Sequence, residues 1–484
     1  MTDKITPRER MRISRQAMPE QEAGRRSGNF EEVNLGFTEQ AALLEAQRCI
    51  QCREAKCIRA CPVRVDIPRF IKRLTDGDLP GAAASLFGDN MLPAVSGRVC
   101  PQEQQCEGAC VRGCKGQSVA IGYLERFVAD WARRRGDGAP LAPVAASGRK
   151  VAVVGAGPAG LTAAGELAAQ GHDVTVFEAL HKPGGVLVYG IPEFRLPKAI
   201  VQAEVDRLVK AGVKIRCNVV VGRTYTVPEL RADFDAVFIA NGAGLPVFMG
   251  VPGENLKGVY SANEYLTRVN LMKAHDLENA NTPVLRGRRV AVVGGGNVAM
   301  DAVRTAKRLG AESAMIVYRR SKEEMPARVE EIAHAEHEGI DFQLLVAPLA
   351  VEGDAKRWVC GLRCRRMALG APDASGRRKP EPIADSEFTL DCDVVVVAIG
   401  TRANPLLTAT CPELCLDKRG NIVVDADGMT SLPGVFAGGD IVRGAATVIL
   451  AMGDGKRAAK SISRYFAAAS PSAASASDGD LSRV

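Results

Sequence analysis

No apolar run in these 484 residues approaches the length that crosses a bilayer, so a membrane-spanning helix is excluded. The first residues, Met1-Thr2-Asp3-Lys4-Ile5, lack the apolar core of a secretory signal. Glu9, Glu20 and Glu22 interrupt the arginines that follow, which argues against a transit peptide and leaves the cytoplasm as the expected location. Aromatic residues make up only 5%, and no basic patch interleaves with them. The net charge of +7 therefore reads as solvated surface, with neither nucleic acid nor membrane as partner. The five histidines show no metal or triad spacing. No dithiol motif sits beside a cofactor, because Cys360-x3-Cys364 and Cys411-x3-Cys415 have the wrong spacing for one.

Cysteine is present in a telling distribution. Eight of the 14 lie between Cys49 and Cys114, and a reduced compartment makes metal binding a better reading of that density than disulfides. The first set is Cys49-x2-Cys52-x4-Cys57-x3-Cys61-Pro62, and the second is Cys100-Pro101-x4-Cys106-x3-Cys110-x3-Cys114. The closing Cys-Pro is that of a bacterial ferredoxin run with one longer gap. Structural zinc is the alternative, but zinc ribbons favour paired C-x2-C knuckles and only one such pair occurs, which favours iron–sulfur. Ferredoxin-type clusters often take a ligand from the other cysteine group, so linear order does not assign them.

Lys150–Val154 is a short apolar strand that runs into Gly155-Ala156-Gly157-Pro158-Ala159-Gly160. Gly155 allows a tight turn, Gly157 lets backbone approach a pyrophosphate, and Gly160 lets the next helix pack close to the strand. The helix N-terminus near Pro158 offers free N–H groups to phosphates. A second strand, Asp173 to Phe177, ends at Glu178, where a carboxylate accepts hydrogen bonds from a ribose diol. The pattern recurs about 140 residues later at Arg289–Val298, where Gly294, Gly295, Gly296, Asn297, Val298 and Ala299 form a G-x-G-x-x-A turn. Where the first copy has Glu178, the second has Arg319 and Arg320. An acid there repels a 2′-phosphate and arginine clamps one, so the second site is expected to take NADP(H); a pair of solvated arginines is the alternative.

Between the copies, Lys182–Pro192 is a glycine-rich loop, too irregular for helix or strand, of the kind that approaches cofactors. A helix is expected at about 197–212, with strands at Lys214–Val221 and Ala236–Ala240. Asp393–Gly400 is a buried strand ending in glycine that matches Phe234–Gly242. Near the end, Gly438-Gly439-Asp440 closes a strand and Thr447-Val448 opens a helix. Asp440 is placed to bind a polyhydroxyl chain, and the helix N-terminus to face an electron-rich ring.

Two nucleotide folds, one inserted in the other, with a Gly-Gly-Asp segment returning at the end, resemble the flavoproteins with two dinucleotide-binding domains. With the cysteine domain ahead of them, the chain resembles the small (β) subunit of NADPH-dependent glutamate synthase and its relatives. These include the large subunit of NADH-dependent ferredoxin:NADP oxidoreductase, the flavoprotein subunit of sulfide dehydrogenase, and the N-terminal part of dihydropyrimidine dehydrogenase. The likeness runs from about residue 7 to 466. It is carried by Cys100-Pro101-Gln102-Glu103, Tyr189-Gly190-Ile191-Pro192-Glu193-Phe194-Arg195-Leu196-Pro197, Val251-Pro252-Gly253-Glu254-Asn255, Met300-Asp301-Ala302-Val303-Arg304 and Tyr318-Arg319-Arg320.

The resemblance implies an α/β architecture of two Rossmann-like domains behind an α-helical iron–sulfur domain. The expected divisions are 1–140 for two [4Fe–4S] clusters, 149–285 and 401–466 for FAD, 286–400 for NADPH, a linker over 136–149, and a disordered tail over 467–484. FAD is expected on Gly155, Gly157, Pro158, Ala159, Gly160, Glu178, Gly184, Gly185, Leu187, Gly190, Ile191, Arg195, Ala240, Gly242, Gly439, Asp440, Thr447 and Val448. NADPH is expected on the second turn with Asp301, Arg319, Arg320, Ala398 and Gly400. Cys49, Cys52, Cys57 and Cys110 would hold one cluster; Cys61, Cys100 and Cys106 would hold the other, completed by Glu125 or Cys114.

The activity implied is an NADPH-oxidising flavin/iron–sulfur oxidoreductase subunit that passes electrons through FAD to the clusters and on to a partner. No catalytic side chain is nominated, because the cofactors carry the chemistry. Residue 2 is Thr and no substrate barrel is present, so this chain alone does not make glutamate from glutamine. The expected assembly is a hetero-oligomer with a glutamate synthase large-subunit-like protein. The alternative is the large subunit of an electron-bifurcating NADH-dependent ferredoxin:NADP oxidoreductase, whose partner would be a small ferredoxin–NADP reductase-like flavoprotein. A nucleotide sensor without activity is a third reading, opposed by the intact glycines, Glu178 and eight cysteines.

Overall fold

The computed structural model describes residues 6–136, 144–276, 278–374 and 376–469. Residues 137–143 of the expected linker and all of the tail beyond 469 lie outside them; residues 467–469 end a helix, Val448–Ala469. None of the described helices is long and apolar enough to cross a membrane.

The N-terminal unit is helical for local reasons. Asp66 and Asp78 cap the helices Ile67–Thr75 and Leu79–Asp89 by accepting from the Arg69 and Gly81 N–H groups, and proline stands in the first turn of each. In Ile67–Thr75 the buried residues are Ile67, Phe70, Ile71 and Leu74, one face at helical spacing. That face joins a core that runs without interruption into the next unit. An added Cβ on Gly165 would strike Met91 Sδ and Leu208 Cδ2 at 2.8 Å, so the helices of the two units are in close contact there.

The second unit is a five-stranded sheet in the order Val435–Ala437, Ala236–Ile239, Lys150–Val154, Asp173–Phe177, Lys214–Arg216, every neighbouring pair parallel. The last strand reaches the sheet only after a long excursion, which is the expected insertion. The inserted unit has its own parallel sheet, ordered Val259–Ser261, Val394–Val397, Arg289–Val293, Ser313–Tyr318, Asp341–Leu344. Leu245–Pro246 and Thr401–Arg402 pair antiparallel where the chain leaves and returns. Buried runs such as Val394–Val397 suit strands covered on both faces.

Four expectations need correction. The boundary at 286 assigns Val259–Ser261 and the helix Ala262–Asn270 to the first nucleotide unit, yet that strand pairs with Val394–Val397 and that helix packs in the second unit's core. Lys214–Val221 is a strand only to Arg216, because Asn218 takes a positive φ of 60° and turns the chain. The loop Lys182–Pro192 contains one helical turn, Val186–Tyr189. An antiparallel sheet of Val346–Gly353, Val359–Pro372 and Arg378–Leu390, absent from the sequence reading, fills the second half of the inserted unit.

Candidate functional site

The first glycine turn has its glycines for two different reasons. Gly155 takes φ +101°, and a Cβ on it would come within 2.5 Å of the Ala240 carbonyl oxygen. A Cβ on Gly160 would lie 1.9 Å from the Gly155 carbonyl oxygen. A Cβ on Gly157 would meet nothing within 4 Å, so that position opens toward a ligand rather than toward protein. Pro158 and Ala159 open the helix Pro158–Ala168, whose N-terminus has no side-chain cap. Its free N–H groups suit a pyrophosphate. Gly184 donates its N–H to the Ala156 carbonyl at 2.8 Å, and a Cβ on Gly185 would be 2.9 Å from the Gly157 Cα. The loop expected to approach a cofactor therefore closes over the turn, with Leu187 buried beneath it.

Glu178 is buried at the end of its strand and accepts from the Ala156 N–H at 2.7 Å and the Leu180 N–H at 2.8 Å. Burial raises its pKa against the pull of those backbone bonds. Asp440 is half-buried; burial pushes it up to about 6, while the Ala446 N–H, 3.3 Å from Oδ1, acts the other way. Tyr189, which burial pushes up to about 12, also feels the charges of Asp440 and Glu178, so all three belong to one neighbourhood. Gly439, at φ +76°, would place a Cβ 3.1 Å from the Ala159 Cβ, and its N–H is held by Asp454 Oδ2 at 3.0 Å. Ala240 donates to the Val154 carbonyl, Gly242 takes φ +70°, and Thr447 and Val448 head the long closing helix. The Gly190 and Ile191 carbonyls accept from Asn270 Nδ2 and Lys198 Nζ. Acid, glycine turn and closing helix thus lie in one neighbourhood, the arrangement expected for a dinucleotide.

The second turn repeats the first. A Cβ on Gly294, at φ +146°, would be 2.3 Å from the Ala398 carbonyl oxygen, and one on Gly295 would enter the Tyr318 ring at 2.7 Å. Gly296 is open, with only Pro326 Cγ at 3.9 Å. Ala299 is buried where the first copy has Gly160, and Val298 is exposed. Asn297 Oδ1 accepts from the Arg328 N–H at 2.9 Å; Gly400, at φ +119°, accepts from the Val247 N–H at 3.1 Å.

The structure separates the two arginines. Arg319 is exposed and makes no hydrogen bond or ion pair among the described residues. Arg320 is buried, paired with Asp373 Oδ2 at 2.6 Å and donating to the Arg378 carbonyl at 2.7 Å. The expectation of a paired clamp is corrected to one free guanidinium. Arg195, expected on FAD, and Asp301, expected on NADPH, are paired with each other in this structure. Arg195 Nη1 meets Asp301 Oδ1 at 2.7 Å and Oδ2 at 2.9 Å, and its Nε is 2.9 Å from Glu331 Oε1, with all three side chains largely out of solvent. A charge removed from water requires such partners, and these two are satisfied by each other across the seam between the nucleotide units.

All 14 cysteines are free. Cys49, Cys52, Cys57 and Cys110 line one pocket with the apolar side chains of Ile67, Ile71, Val119 and Ile121. Burial pushes Cys49 up to about 11 and Cys57 up to about 12, with neighbouring thiols of the same set adding to the shift. Cys61, Cys100 and Cys106 form a second set. Cys100 and Cys106 are buried, burial raises all three pKa values, and each also feels the charge of Glu125. Glu125 is buried and burial pushes it up to about 7, against hydrogen bonds from Ser96 Oγ at 2.6 Å and Asn90 Nδ2 at 2.8 Å. Both bonds fall on Oε1, and among the described residues Oε2 has none. Cys114 is exposed. The two sets therefore draw on both cysteine segments. Among the described residues no three His, Cys, Asp or Glu converge closely enough for a single metal ion. An iron–sulfur cube interposes its own atoms and tolerates thiolates spread more widely, so the donors fit it better than zinc.

The unit of the first glycine turn touches the segment that follows Cys61. A Cβ on Gly453 would be 3.1 Å from the Pro62 carbonyl oxygen, and Lys456 Nζ donates to the Val63 carbonyl at 3.1 Å. Asn90 and Ser96 were absent from the sequence reading, and Tyr189 stood in it only as part of a motif, because a polar residue that supports a buried group carries no spacing of its own.

Residues 149–455 match the family model for pyridine nucleotide-disulphide oxidoreductases, and residues 26–137 match that for dihydropyrimidine dehydrogenase domain II, 4Fe–4S cluster. The glutamate synthase [NADPH] small chain of Azospirillum brasilense is 41% identical over 93% of this chain and 94% of its own length. The NADP(+)-dependent formate dehydrogenase subunit beta of Moorella thermoacetica is 43% identical over 85% of this chain, which spans 60% of that subunit. Mycobacterium tuberculosis FprA, solved in complex with NADPH, shares the fold over 66% of this chain at a TM-score of 0.56 and 22% identity. The chain is thus an oxidoreductase of the pyridine-nucleotide class with a 4Fe–4S domain, and it belongs to the glutamate synthase small-chain family.

Proposed function

We propose that this chain is the electron-input subunit of an NADPH-dependent enzyme of glutamate synthase type, taking electrons from NADPH at the second turn to FAD at the first and onward through two [4Fe–4S] clusters to a partner. The observation that carries the reading is the contact between the closing helix Val448–Ala469 and the Cys61-Pro62-Val63 segment, which makes the flavin unit and the second cysteine set share a wall. Bound FAD and iron–sulfur clusters supply the conversion of a two-electron donor into single electrons, which no side chain here offers.

The chain's own residues hold and orient. Gly157 and Gly296 leave room for pyrophosphates, Glu178 stands at the ribose position, and Arg319 is free to meet a 2′-phosphate. Cys61, Cys100, Cys106 and Glu125 form the inner ligand set, and Cys49, Cys52, Cys57 and Cys110 the outer one. The outer cysteines are all partly exposed, so a cluster held there would be the one placed to pass electrons to a partner. We further propose that the partner is a glutamate synthase large-subunit-like protein and that the assembly works in the cytoplasm. Near-complete overlap with a glutamate synthase small chain supports this.

Anaerobic purification tests the core of the reading. It should yield FAD and about eight irons, with NADPH-driven dye reduction. Stoichiometric zinc without iron–sulfur absorption would sink it. A large amidotransferase subunit should co-purify; a small flavoprotein with its own cluster would transfer the assignment to the bifurcating alternative.

A further inference from the structure

Arg328 precedes the helix Val329–His337 of the inserted unit, yet its side chain is buried against the cysteine unit. Its main-chain N–H is held by Asn297 Oδ1 at 2.9 Å, at the first residue of the helix that follows the second glycine turn. Nη1 donates to the Arg98 carbonyl at 3.1 Å, and Nη2 donates to Gln102 Oε1 at 2.9 Å. Arg98 and Gln102 stand two residues before and two after Cys100, so the guanidinium straddles the turn that presents this thiol. Glu330 Oε2 lies 2.8 Å from Nη2. Nε has no hydrogen-bond acceptor among the described residues, and Glu103 Oε2 stands 3.7 Å from it.

We propose that Arg328 is a positioning residue that raises the reduction potential of the inner cluster and, through Asn297, ties that potential to the nucleotide turn. The inference rests on the cluster reading above. A fixed positive charge in a poorly screened interior favours the more negative, reduced form of a neighbouring cluster, and nearby charges and hydrogen bonds are recognised controls on cluster potential. The carboxylate of Glu103, 3.7 Å from Arg328 Nε, brings the opposite charge to the same turn, so the two side chains act on the cluster in opposite directions. The connection to Asn297 supplies a route by which nucleotide occupancy moves the guanidinium, and any such coupling is reciprocal.

The test uses the full chain, purified anaerobically, with iron and sulfide assays and redox titrations followed by EPR. Wild-type protein without iron–sulfur signals would fail the cluster reading itself; signals with unmoved potentials would fail this inference alone. Arg328→Gln should lower the midpoint of one cluster, the one whose signal Glu125→Gln alters, and leave the other in place. Arg328→Lys should recover most of the shift, and Glu103→Gln should move the same midpoint upward. Saturating NADP+ should shift that midpoint in wild type and not in Arg328→Gln. Unchanged midpoints in Arg328→Gln, or equal movement of both clusters, overturn the assignment. Should Arg328→Gln lose its iron, an unmoved midpoint in both Glu103→Gln and Arg328→Lys has the same force. A wild-type potential indifferent to NADP+ removes the tie to Asn297.

Discussion

Gly155 and Gly157 are two residues apart and have opposite tolerances. The first needs φ +101° and faces the Ala240 carbonyl, so a methyl group there forces the backbone apart. The second has φ −77° and open space, so alanine costs the fold little. Gly157→Ala should therefore melt within about 0.5–1 kcal/mol of wild type yet lose bound FAD, because its methyl group occupies the pyrophosphate approach. Gly155→Ala should lower the melting temperature first. A Gly157→Ala protein that retains stoichiometric flavin would place the FAD elsewhere. The separated arginines are tested in the same way. Removing a charged hydrogen bond to a phosphate costs about 1.5–3 kcal/mol, so Arg319→Ala should raise KM for NADPH roughly ten- to a hundredfold and leave KM for NADH nearly unchanged. Arg320→Ala should instead destabilise the inserted unit, since it removes the ion pair to Asp373 and the hydrogen bond to the Arg378 carbonyl. Spacing made the glycines and the arginine pair legible in the sequence. Which arginine is free was not, because Asp373 comes from a sheet that the half-exposed strands Val359–Pro372 and Arg378–Leu390 did not announce.

Between the helices Asn297–Arg308 and Val329–His337 lies a buried cluster of charge, with Glu338 at its centre. Glu338 takes Arg304 Nη2 at 2.8 Å, Arg308 Nη1 at 2.6 Å and, from the N-terminal segment, Arg26 Nε at 3.1 Å. Burial alone would raise its pKa, but the guanidinium groups of Arg308 and Arg304 outweigh burial and hold it at about 2. The folded value is depressed, so the stabilisation is present above the ordinary value of 4.5 and is lost as pH falls toward 2. Thermal midpoints should fall across that window, and Glu338→Gln should flatten the acid limb. It should also cost about 3–5 kcal/mol at neutral pH, since three buried guanidinium groups lose their common partner. An acid limb equally steep in Glu338→Gln would show that other carboxylates set it. The sequence could not disclose this cluster. Arg195 and Asp301 suit a nucleotide as well as an ion pair, and their contact joins segments 106 residues apart.

At the scale of the whole chain, the insertion was readable because each glycine turn declares its own sheet and the Gly-Gly-Asp segment declares the return. What holds the inserted unit in place was not readable. The paired strands Leu245–Pro246 and Thr401–Arg402 are a slender connection that would permit rotation. The cysteine unit restrains it: Glu330 Oε1 accepts from Tyr123 Oη at 2.7 Å and from Asn34 Nδ2 at 3.0 Å, and Arg26 reaches Glu338. Each of these bonds crosses from the N-terminal unit to the inserted unit and none falls on a glycine turn; Glu330 also pairs with Arg328 through Oε2, so the readout for geometry is flavin reduction by NADPH, upstream of the clusters. Releasing them with Glu330→Ala and Arg26→Ala together should loosen the inserted unit, which the Arg195–Asp301 pair and the Arg328 bonds then hold less firmly. Hydride transfer requires reacting atoms held at close range, so a misplacement of about 1 Å is enough to slow it roughly a hundredfold. Stopped-flow reduction of the flavin by NADPH should therefore slow in the double variant. Reduction by dithionite, which needs no nucleotide, should keep its wild-type rate, and X-ray scattering should register a larger radius of gyration. Unchanged NADPH kinetics alongside an expanded particle would mean that the two turns find each other without help from the cysteine unit.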